Sequence, residues 1–133
     1  MSARRTLLAA AALALSLAAP AAAVVPGAMR LPADMRARYG LASYYCCAFE
    51  GRRAADGSIF RAQEMTAASR TLPFGLRVRV TNLRNGLRVV VRITDRGPFA
   101  DPAHRIIDLS RGAARAIGGE AMGIFPVEVL PLP

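Results

Sequence analysis

The strongest pattern in the chain is an alternation of apolar and polar residues on both sides of an Asn-Gly pair. The apolar positions are Leu76, Val78 and Val80 before the pair and Leu87, Val89, Val91 and Ile93 after it. Because successive side chains of a strand point to opposite faces, this period of two predicts two strands with one apolar face. Asn85-Gly86 is typical of a two-residue turn with positive φ at both positions, so the segment is predicted to be a tight hairpin.

Four further strands and one helix are predicted around this hairpin. The strands are residues 41–45, 66–68, 106–109 and 124–130. Ser110 is a favoured N-cap for a helix over residues 111–117, and Gly118-Gly119 is typical of a helix end. Many short strands at this spacing, with a single short helix, predict an all-β fold in the form of a small barrel or sandwich.

Residues 1–23 have the pattern of a secretory signal. Arg4 and Arg5 precede an apolar run over residues 7–19, and small residues follow at 20–23. A charged start, a short apolar core and an Ala-x-Ala end predict export and removal of this segment. The run is short for a bilayer span, so a membrane anchor is the lesser alternative. The arginine pair also allows twin-arginine export, and no cysteine follows the run, so a lipoprotein is not expected.

The rest of the chain is predicted to form one domain. Residues 24–39 are assigned as a linker, residues 40–130 as the folded domain and residues 131–133 as a tail. After removal of the signal we expect no stable membrane anchor, and a monomer.

Positive charge dominates the composition. All 18 basic residues are arginine, nine residues are acidic, and the formal net charge is +9, or +7 without the two arginines of the signal. This balance favours an anionic partner such as nucleic acid, anionic lipid or an acidic wall polymer. Export, the scattered arginines and the absence of tryptophan argue against nucleic acid. A solvated surface accounts equally well for most of these arginines.

The cysteines and the histidine do not suggest a metal site. Cys46 and Cys47 are adjacent, and neighbouring Cα atoms lie about 3.8 Å apart, closer than disulfide geometry prefers. We therefore expect both thiols to be free, or one of them to form a disulfide with another chain. His104 is expected on an exposed loop. These residues and the scattered acids do not make a ligand set, so no metal and no cofactor are expected.

Asp95 is the candidate for chemistry in the second strand of the hairpin. If the strand continues through it, Asp95 shares a face with Val91 and Ile93 and lies at the rim of the apolar interior. Partial burial there would raise the pKa of its carboxyl, as a general acid at neutral pH requires. The alternative is structural, because an aspartate before Gly-Pro often accepts backbone N–H groups in a turn.

A series of motifs from residue 40 onward resembles one family. The motifs are GLASYY (40–45), FEGRRAADG (49–57), TAASRTLPFGLRVRVTNLRNG (66–86), VVVRITDRGPF (89–99) and RIIDLSRGAARAIG (105–118). In this order they are similar to the rare lipoprotein A (RlpA) family. The resemblance implies an all-β, six-stranded double-psi β-barrel with one short helix, in a bacterial periplasm or cell envelope, that acts on peptidoglycan glycan strands.

Many members of that family are lytic transglycosylases. They cleave the β-1,4 bond between N-acetylmuramic acid and N-acetylglucosamine without water, because the muramic 6-hydroxyl attacks its own anomeric carbon and leaves a 1,6-anhydro end. The reaction needs an acid for the leaving oxygen and a base for the hydroxyl proton. One carboxyl group can play both parts in turn, and the resemblance carries the family's catalytic aspartate in the DRG motif onto Asp95, with a glutamate elsewhere taken as the second acid.

The resemblance breaks at three positions. The family's glutamate after Ala-x-Gly is Ser58 here, its histidine in TAAH is Ser69, and its histidine in FHG is Glu50. Because serine cannot act as an acid at neutral pH, these changes favour a rival function, a non-catalytic wall-binding or wall-loosening barrel like barwin and expansin domains. Asp56 could reach the same groove, although an Asp-Gly turn is the simpler interpretation.

Other residues are candidates for substrate binding. Tyr44 or Tyr45 could stack on a sugar or pack in the barrel, and Arg53 and Arg96 could bind muramyl lactyl or peptide carboxylates. Asp108 is interpreted as structural, since an acid before the helix favours its N-terminus. The predicted substrate-binding set is Tyr44, Tyr45, Arg53, Asp56, Ser58, Ser69 and Arg96.

Overall fold

The computed structural model describes residues 35–133. The predicted signal and most of the predicted linker therefore lie outside the described residues. Within the described part, no helix is long and apolar enough to cross a membrane.

Six strands and one helix follow in the predicted order. The strands are β1 (Arg38–Tyr45), β2 (Thr66–Ala68), β3 (Arg77–Asn82), β4 (Arg88–Asp95), β5 (Arg105–Ser110) and β6 (Phe125–Pro131). The helix α1 spans Arg111–Ala116, and a 3₁₀ turn covers Cys47–Phe49. Each predicted element is confirmed, with small shifts at its ends.

The strands close into a barrel in the order β1-β5-β2-β4-β3-β6. β1 runs parallel to β5 and β2 runs parallel to β4, whereas the other neighbours are antiparallel. Parallel neighbours need crossover connections, and the two crossovers here give a six-stranded double-psi β-barrel with one short helix. The predicted fold class is therefore confirmed.

The apolar face of the alternating strands fills the barrel. Val78 and Val80 of β3 and Val91 and Ile93 of β4 are almost fully buried. Burial of a side chain of this size stabilises the fold by about 1.5–3 kcal/mol. Leu87, which the alternation also places on this face, lies just before the first residue of β4 and is 49% exposed. The core thus fixes the register of β3 and β4 and the position of the acid that ends β4.

The turn between β3 and β4 differs from the prediction. Of Asn85 and Gly86, only Gly86 has a positive φ, 74°, and residues 83–87 connect the strands. The side-chain amides of Asn82 and Asn85 donate to the carbonyl oxygen of Ile117 at 2.8 and 2.9 Å. The connection is longer than two residues because the hairpin tip reaches the end of α1 and satisfies its last carbonyl.

The helix begins directly after β5, as predicted. The side-chain oxygen of Ser110 accepts the N–H of Ala113 at 3.2 Å, and its hydroxyl donates to the carbonyl of Glu64 at 2.6 Å. Ser110 therefore satisfies one of the free N–H groups of the first turn and joins α1 to the loop before β2.

The expectation for the cysteines is wrong. Cys46 and Cys47 are joined to each other in a disulfide, and the described chain has no free cysteine. The backbone leaves β1 at this point and enters the 3₁₀ turn that begins at Cys47, which brings the two sulfurs together. Nη1 of Arg111 lies 3.8 and 3.9 Å from them. Both sulfurs are thus used within the chain.

Candidate active site

Two carboxylates face one pocket from the strands on either side of β2. Ala68 of β2 lies opposite Asp95 of β4 and also opposite Asp108 of β5. Because neighbouring strands lie about 4.8 Å apart, the Cα atoms of the two acids are separated by two strand spacings, or roughly 10 Å. The small side chain of Ala68 between them leaves space for a ligand.

Asp95 ends β4 next to an irregularity in the pairing with β2. Ala67 lies opposite Ile93, and Ala68 lies opposite Asp95. Thr94 is therefore an extra residue in β4. Bulges of this kind change the direction of the strand and re-aim the next side chain, which here is the acid.

Two backbone groups hold the carboxylate of Asp95. Its Oδ1 accepts the N–H of Ala55 at 3.2 Å and the N–H of Arg96 at 2.8 Å. No described residue donates to Oδ2. The two interpretations of Asp95 from sequence are therefore compatible, since the turn contacts orient one oxygen and leave the other for a ligand.

Asp108 is half-buried on β5. Burial raises the pKa of its carboxyl, the Ser43 hydroxyl and the charge of Arg105 oppose this rise, and the charge of Asp95 adds to it. The Ser43 hydroxyl donates to Oδ1 at 3.1 Å, and Nε of Arg105 donates to Ser43 Oγ at 3.0 Å. The interpretation of Asp108 as a support for the helix start is corrected, because Ser110 caps the helix and Asp108 faces the pocket.

The pocket is shallow, about 120 Å³. Its lining residues are Tyr45, Phe49, Ala68, Asp95, Arg96 and Asp108. Three residues that the sequence predicted for the site, Tyr45, Asp95 and Arg96, therefore meet here. The other three lining residues were not predicted for the site. Within residues 35–133, no group of three or more His, Cys, Asp or Glu is placed to hold a metal ion.

Tyr45 forms a packed wall of the pocket. Its ring stacks on Phe60 with centroids 4.7 Å apart. Burial raises the pKa of its hydroxyl above the ordinary value, and the charges of Asp95 and Asp108 add to the rise. The hydroxyl makes no hydrogen bond of normal geometry in the described part of the chain. Of the two alternatives for Tyr45, these contacts favour packing over stacking on a sugar.

The turn that carries Asp56 and Ser58 lies against the end of β4. The N–H of Asp56 donates to the carbonyl of Thr94 at 3.1 Å. Oδ1 of Asp56 accepts the N–H of Ser58 at 2.8 Å and also its hydroxyl. Desolvation would raise the pKa of Asp56, but the bonds from Ser58 outweigh it and lower the pKa. Both side chains are thus next to the pocket but engaged with each other.

Ser69 and Arg96 stabilise the loop after β2. Ser69 is buried, and its Oγ accepts the N–H groups of Thr71 and Leu72 at 3.3 and 3.1 Å. Nη1 of Arg96 donates to the carbonyls of Ser69 and Leu72 at 3.0 and 2.7 Å. Arg96 lines the pocket, whereas the Ser69 side chain does not.

Tyr44, Arg53 and His104 do not line the pocket. The Tyr44 hydroxyl donates to the carbonyl of Glu120 at 3.0 Å, and its ring packs against the core. Nη1 of Arg53 donates to a carbonyl in its own turn at 3.2 Å. His104 is exposed, as predicted, with Nδ1 2.8 Å from the carboxylate of Asp101.

A larger cleft of about 590 Å³ is formed by the 3₁₀ turn, residues 61–64 and α1. Its arginines are paired with acids. Arg61 contacts Glu50 at 3.5 Å. Arg111 and Arg115 each contact Glu120 at 2.7 Å. Because its arginines are paired with acids and neither Asp95 nor Asp108 lines it, the smaller pocket is the candidate active site.

Sequence reasoning missed Asp108, Ala68 and Phe49. Asp108 alternates with buried Ile107 and Leu109 on β5, a pattern that predicts an outward side chain. Its position near the end of a strand was the one sequence feature that suggested a site residue. Its proximity to Asp95 follows from the pairing of β2 with both β4 and β5, which the sequence did not predict.

The fold and the site together define a class of protein. It is a double-psi β-barrel that presents two aspartates, held by its backbone and side-chain contacts, at one pocket. Two carboxyl groups with different surroundings are suited to giving and taking protons.

The comparison with protein families then identifies the chain. A family model described as a lytic transglycolase matches residues 37–129. The chain belongs to this family, and its resemblance to RlpA is confirmed. It is 60% identical over 89 residues to the probable endolytic peptidoglycan transglycosylase RlpA of Synechocystis sp. and 49% identical over 90 residues to the endolytic peptidoglycan transglycosylase RlpA of Haemophilus influenzae. The alignments cover 67% and 68% of this chain but 27% and 31% of the relatives, so the chain spans less than a third of their length.

Solved structures with the same fold have low sequence identity. Streptomyces papain inhibitor matches with a TM-score of 0.59 and 22% identity over 74% of this chain and 96% of its own. An expansin of Clavibacter michiganensis matches with a TM-score of 0.58 and 24% identity over 74% of this chain and 51% of its own. At this identity the two structures support the fold alone.

Proposed function

We propose that the protein is a lytic transglycosylase that cleaves the glycan strands of bacterial peptidoglycan. The observation that carries this proposal is the placement of Asp95 and Asp108 on the two sides of Ala68 in one pocket. Membership of the lytic transglycolase family and the names of the RlpA relatives support the same substrate.

Asp108 is the general acid in this proposal. Its raised pKa keeps a larger fraction of the carboxyl protonated than in an ordinary aspartate. It donates this proton to the glycosidic oxygen as the bond from that oxygen to the muramic anomeric carbon breaks. The leaving N-acetylglucosamine end therefore departs as a neutral hydroxyl.

Asp95 is the general base. The muramic 6-hydroxyl oxygen forms a new bond to the anomeric carbon, and Asp95 takes the hydroxyl proton. One proton has then moved from Asp108 to Asp95, and exchange with solvent restores both groups. The backbone N–H groups on Oδ1 hold Asp95 for this step, and its Oδ2 receives the proton.

This assignment explains how the site can act with Ser58 at the position of the family's glutamate. The Ser58 hydroxyl is bound to Asp56 and supplies no proton, whereas Asp108 provides the second carboxyl from β5. The carboxyl pair is therefore complete without residue 58.

The rival function is a non-catalytic wall-binding or wall-loosening barrel. It is favoured by the serines at positions 58 and 69. Both functions require a glycan in the same pocket, so they differ in the products.

We also propose that the protein is exported to the periplasm or cell envelope, as a monomer and without a lipid anchor. The signal-like pattern of residues 1–23 supports this location, and a peptidoglycan substrate requires it. Detection of the mature N-terminus near residue 24 in the periplasmic fraction would test it.

The decisive experiment is digestion of purified peptidoglycan, with and without stem peptides, followed by mass spectrometry of the released fragments. We expect 1,6-anhydromuramyl ends from the wild type and none from Asp95→Asn. Ser58→Glu should raise the rate, because it restores the acid of the family motif. Binding without any anhydro product would establish the rival function, and cleavage by Asp95→Asn would show that another group is the base.

A further inference from the structure

Three of the five phenylalanines are exposed, and one of them, Phe49, lines the pocket. Phe49, Phe74 and Phe99 are 48%, 41% and 72% exposed, whereas Phe60 and Phe125 are buried. Single exposed apolar residues need no explanation, but aromatic rings that gather around a pocket mark a binding surface. We call these three residues the phenylalanine rim.

Phe49 forms one side of the rim. It ends the 3₁₀ turn that follows the disulfide and lines the pocket together with both carboxylates. The Tyr45 ring contacts it edge-on, with centroids 5.7 Å apart and planes at 88°. This contact fixes the orientation of the Phe49 ring while about half of its surface stays open to solvent.

Phe74 lies on the Arg96 side of the pocket. The guanidinium carbon of Arg96, which lines the pocket, is 3.8 Å from the centre of the Phe74 ring. Arg96 is itself fixed by two carbonyl oxygens of the loop after β2. The Phe74 ring is thus held against Arg96 by a cation–π contact.

Phe99 follows the acid in the chain. Its ring lies against Gly97, where a Cβ would be 3.8 Å from two ring carbons. Among the large apolar side chains of the described residues it is the most exposed, at 72%. It therefore presents its ring to solvent four residues after Asp95.

We propose that the phenylalanine rim binds sugar rings of the glycan strand that enters the pocket of the two carboxylates. One face of a pyranose ring carries mainly C–H groups, which pack well on a flat aromatic face. The inference rests on the proposed function for the identity of the glycan. A glycan is favoured over a protein partner because Phe49 lines the carboxylate pocket itself and Phe74 packs on Arg96, which lines the same pocket. The rim takes the stacking role that the sequence suggested for Tyr44 or Tyr45.

The test is a binding isotherm on purified peptidoglycan, in an Asp95→Asn background that prevents turnover. Phe49→Ala and Phe99→Ala should each weaken binding by roughly tenfold, which corresponds to about 1.4 kcal/mol. Phe49→Tyr should bind as the parent does, because it keeps a flat ring. Phe49→Leu should bind as weakly as alanine, because it keeps apolar area but no ring. Leu87→Ala is the matched control, because Leu87 is an apolar side chain that is 49% exposed just before the start of β4. It should leave binding unchanged.

The outcomes separate the two proposals. If the alanine variants bind peptidoglycan as tightly as the parent, or if Phe49→Leu does, the proposed role of the phenylalanine rim is wrong. If the wild type still releases anhydromuramyl products in that case, the proposed function stands alone. Ring-dependent binding without any cleavage product supports the rim and overturns the proposed reaction. A parent that binds no peptidoglycan overturns both.

Discussion

Substitution of Asp108 by asparagine separates the chemical role of this residue from its effect on stability. The amide keeps an oxygen that can accept the Ser43 hydroxyl, which now lies at 3.1 Å, so we expect the barrel to fold. It cannot donate a proton to a leaving oxygen as an acid does. Loss of a general acid lowers kcat by about 10²–10⁴-fold, or roughly 3–5 kcal/mol of barrier at 1.36 kcal/mol for each factor of ten.

Asp108→Asn should lower activity but stabilise the folded protein. The folded-state pKa of Asp108 is raised, chiefly by burial, so its stabilising contribution is fully present below the unfolded pKa of about 3.9 and is lost as pH rises through the folded pKa. Above that folded pKa the wild type carries a half-buried charge that Asp108→Asn removes. We expect the unfolding temperature of the variant to rise relative to that of the wild type as the pH increases through the folded pKa, with no such difference below about pH 4.

The assays are the rate of anhydromuramyl release and the midpoint of thermal unfolding, each measured across pH. Wild-type activity should fall as pH rises through the folded pKa of Asp108. Asp101→Asn is the matched control, because it removes the same charge from an exposed loop residue and should leave activity unchanged. Activity of Asp108→Asn within about threefold of the wild type, or a melting temperature that does not rise relative to the wild type as the pH increases, would refute the assignment of Asp108 as a partly buried acid.

Three further changes test other parts of the structure. Ala68→Leu should reduce activity by about tenfold or more and cost about 1–3 kcal/mol from overpacking, whereas Ala68→Ser should do neither; a fully active leucine variant would show that the space between the acids is not used. Ser110→Ala should lower the free energy of unfolding in urea by about 1–2 kcal/mol, because it removes the cap and the bond to Glu64, and an unchanged value would contradict the role of the cap. Iodoacetamide should add no mass to Cys46 and Cys47 until a reductant is present, and labelling without reductant would contradict the disulfide.

The strands of this barrel could be predicted from sequence because their information is local. The alternation around Val78 and Val91 predicts two strands regardless of which strands they pair with. Ser110 caps the helix through a group only three residues away. The hairpin tip could not be predicted in detail. Asn85 suits a positive φ in isolation, but its amide is used to bind the carbonyl of Ile117, and that contact depends on how α1 returns to the barrel.

The site was predictable only for its first acid. Asp95 follows an apolar alternation and ends a strand, so sequence alone places it at a rim. Asp108 precedes the helix, so the sequence suggested only a structural role for it. Its partial burial comes from other strands, since Ser43 on β1 and Ala68 on β2 lie beside it. No pattern within β5 carries that information, because strand order is a property of the closed barrel.

The position of Ala68 between the two acids limits which substitutions can change the site during evolution. The separation of the two carboxylates is fixed by two backbone hydrogen-bond ladders, and the distance between paired strands hardly varies among proteins. Exchanges of one apolar side chain for another in the barrel interior can therefore alter the melting temperature while leaving that separation intact. Selection for robustness and selection for catalysis then act on different positions, and the reach of the acids is adjusted by lengthening or shortening a side chain at residue 95 or 108.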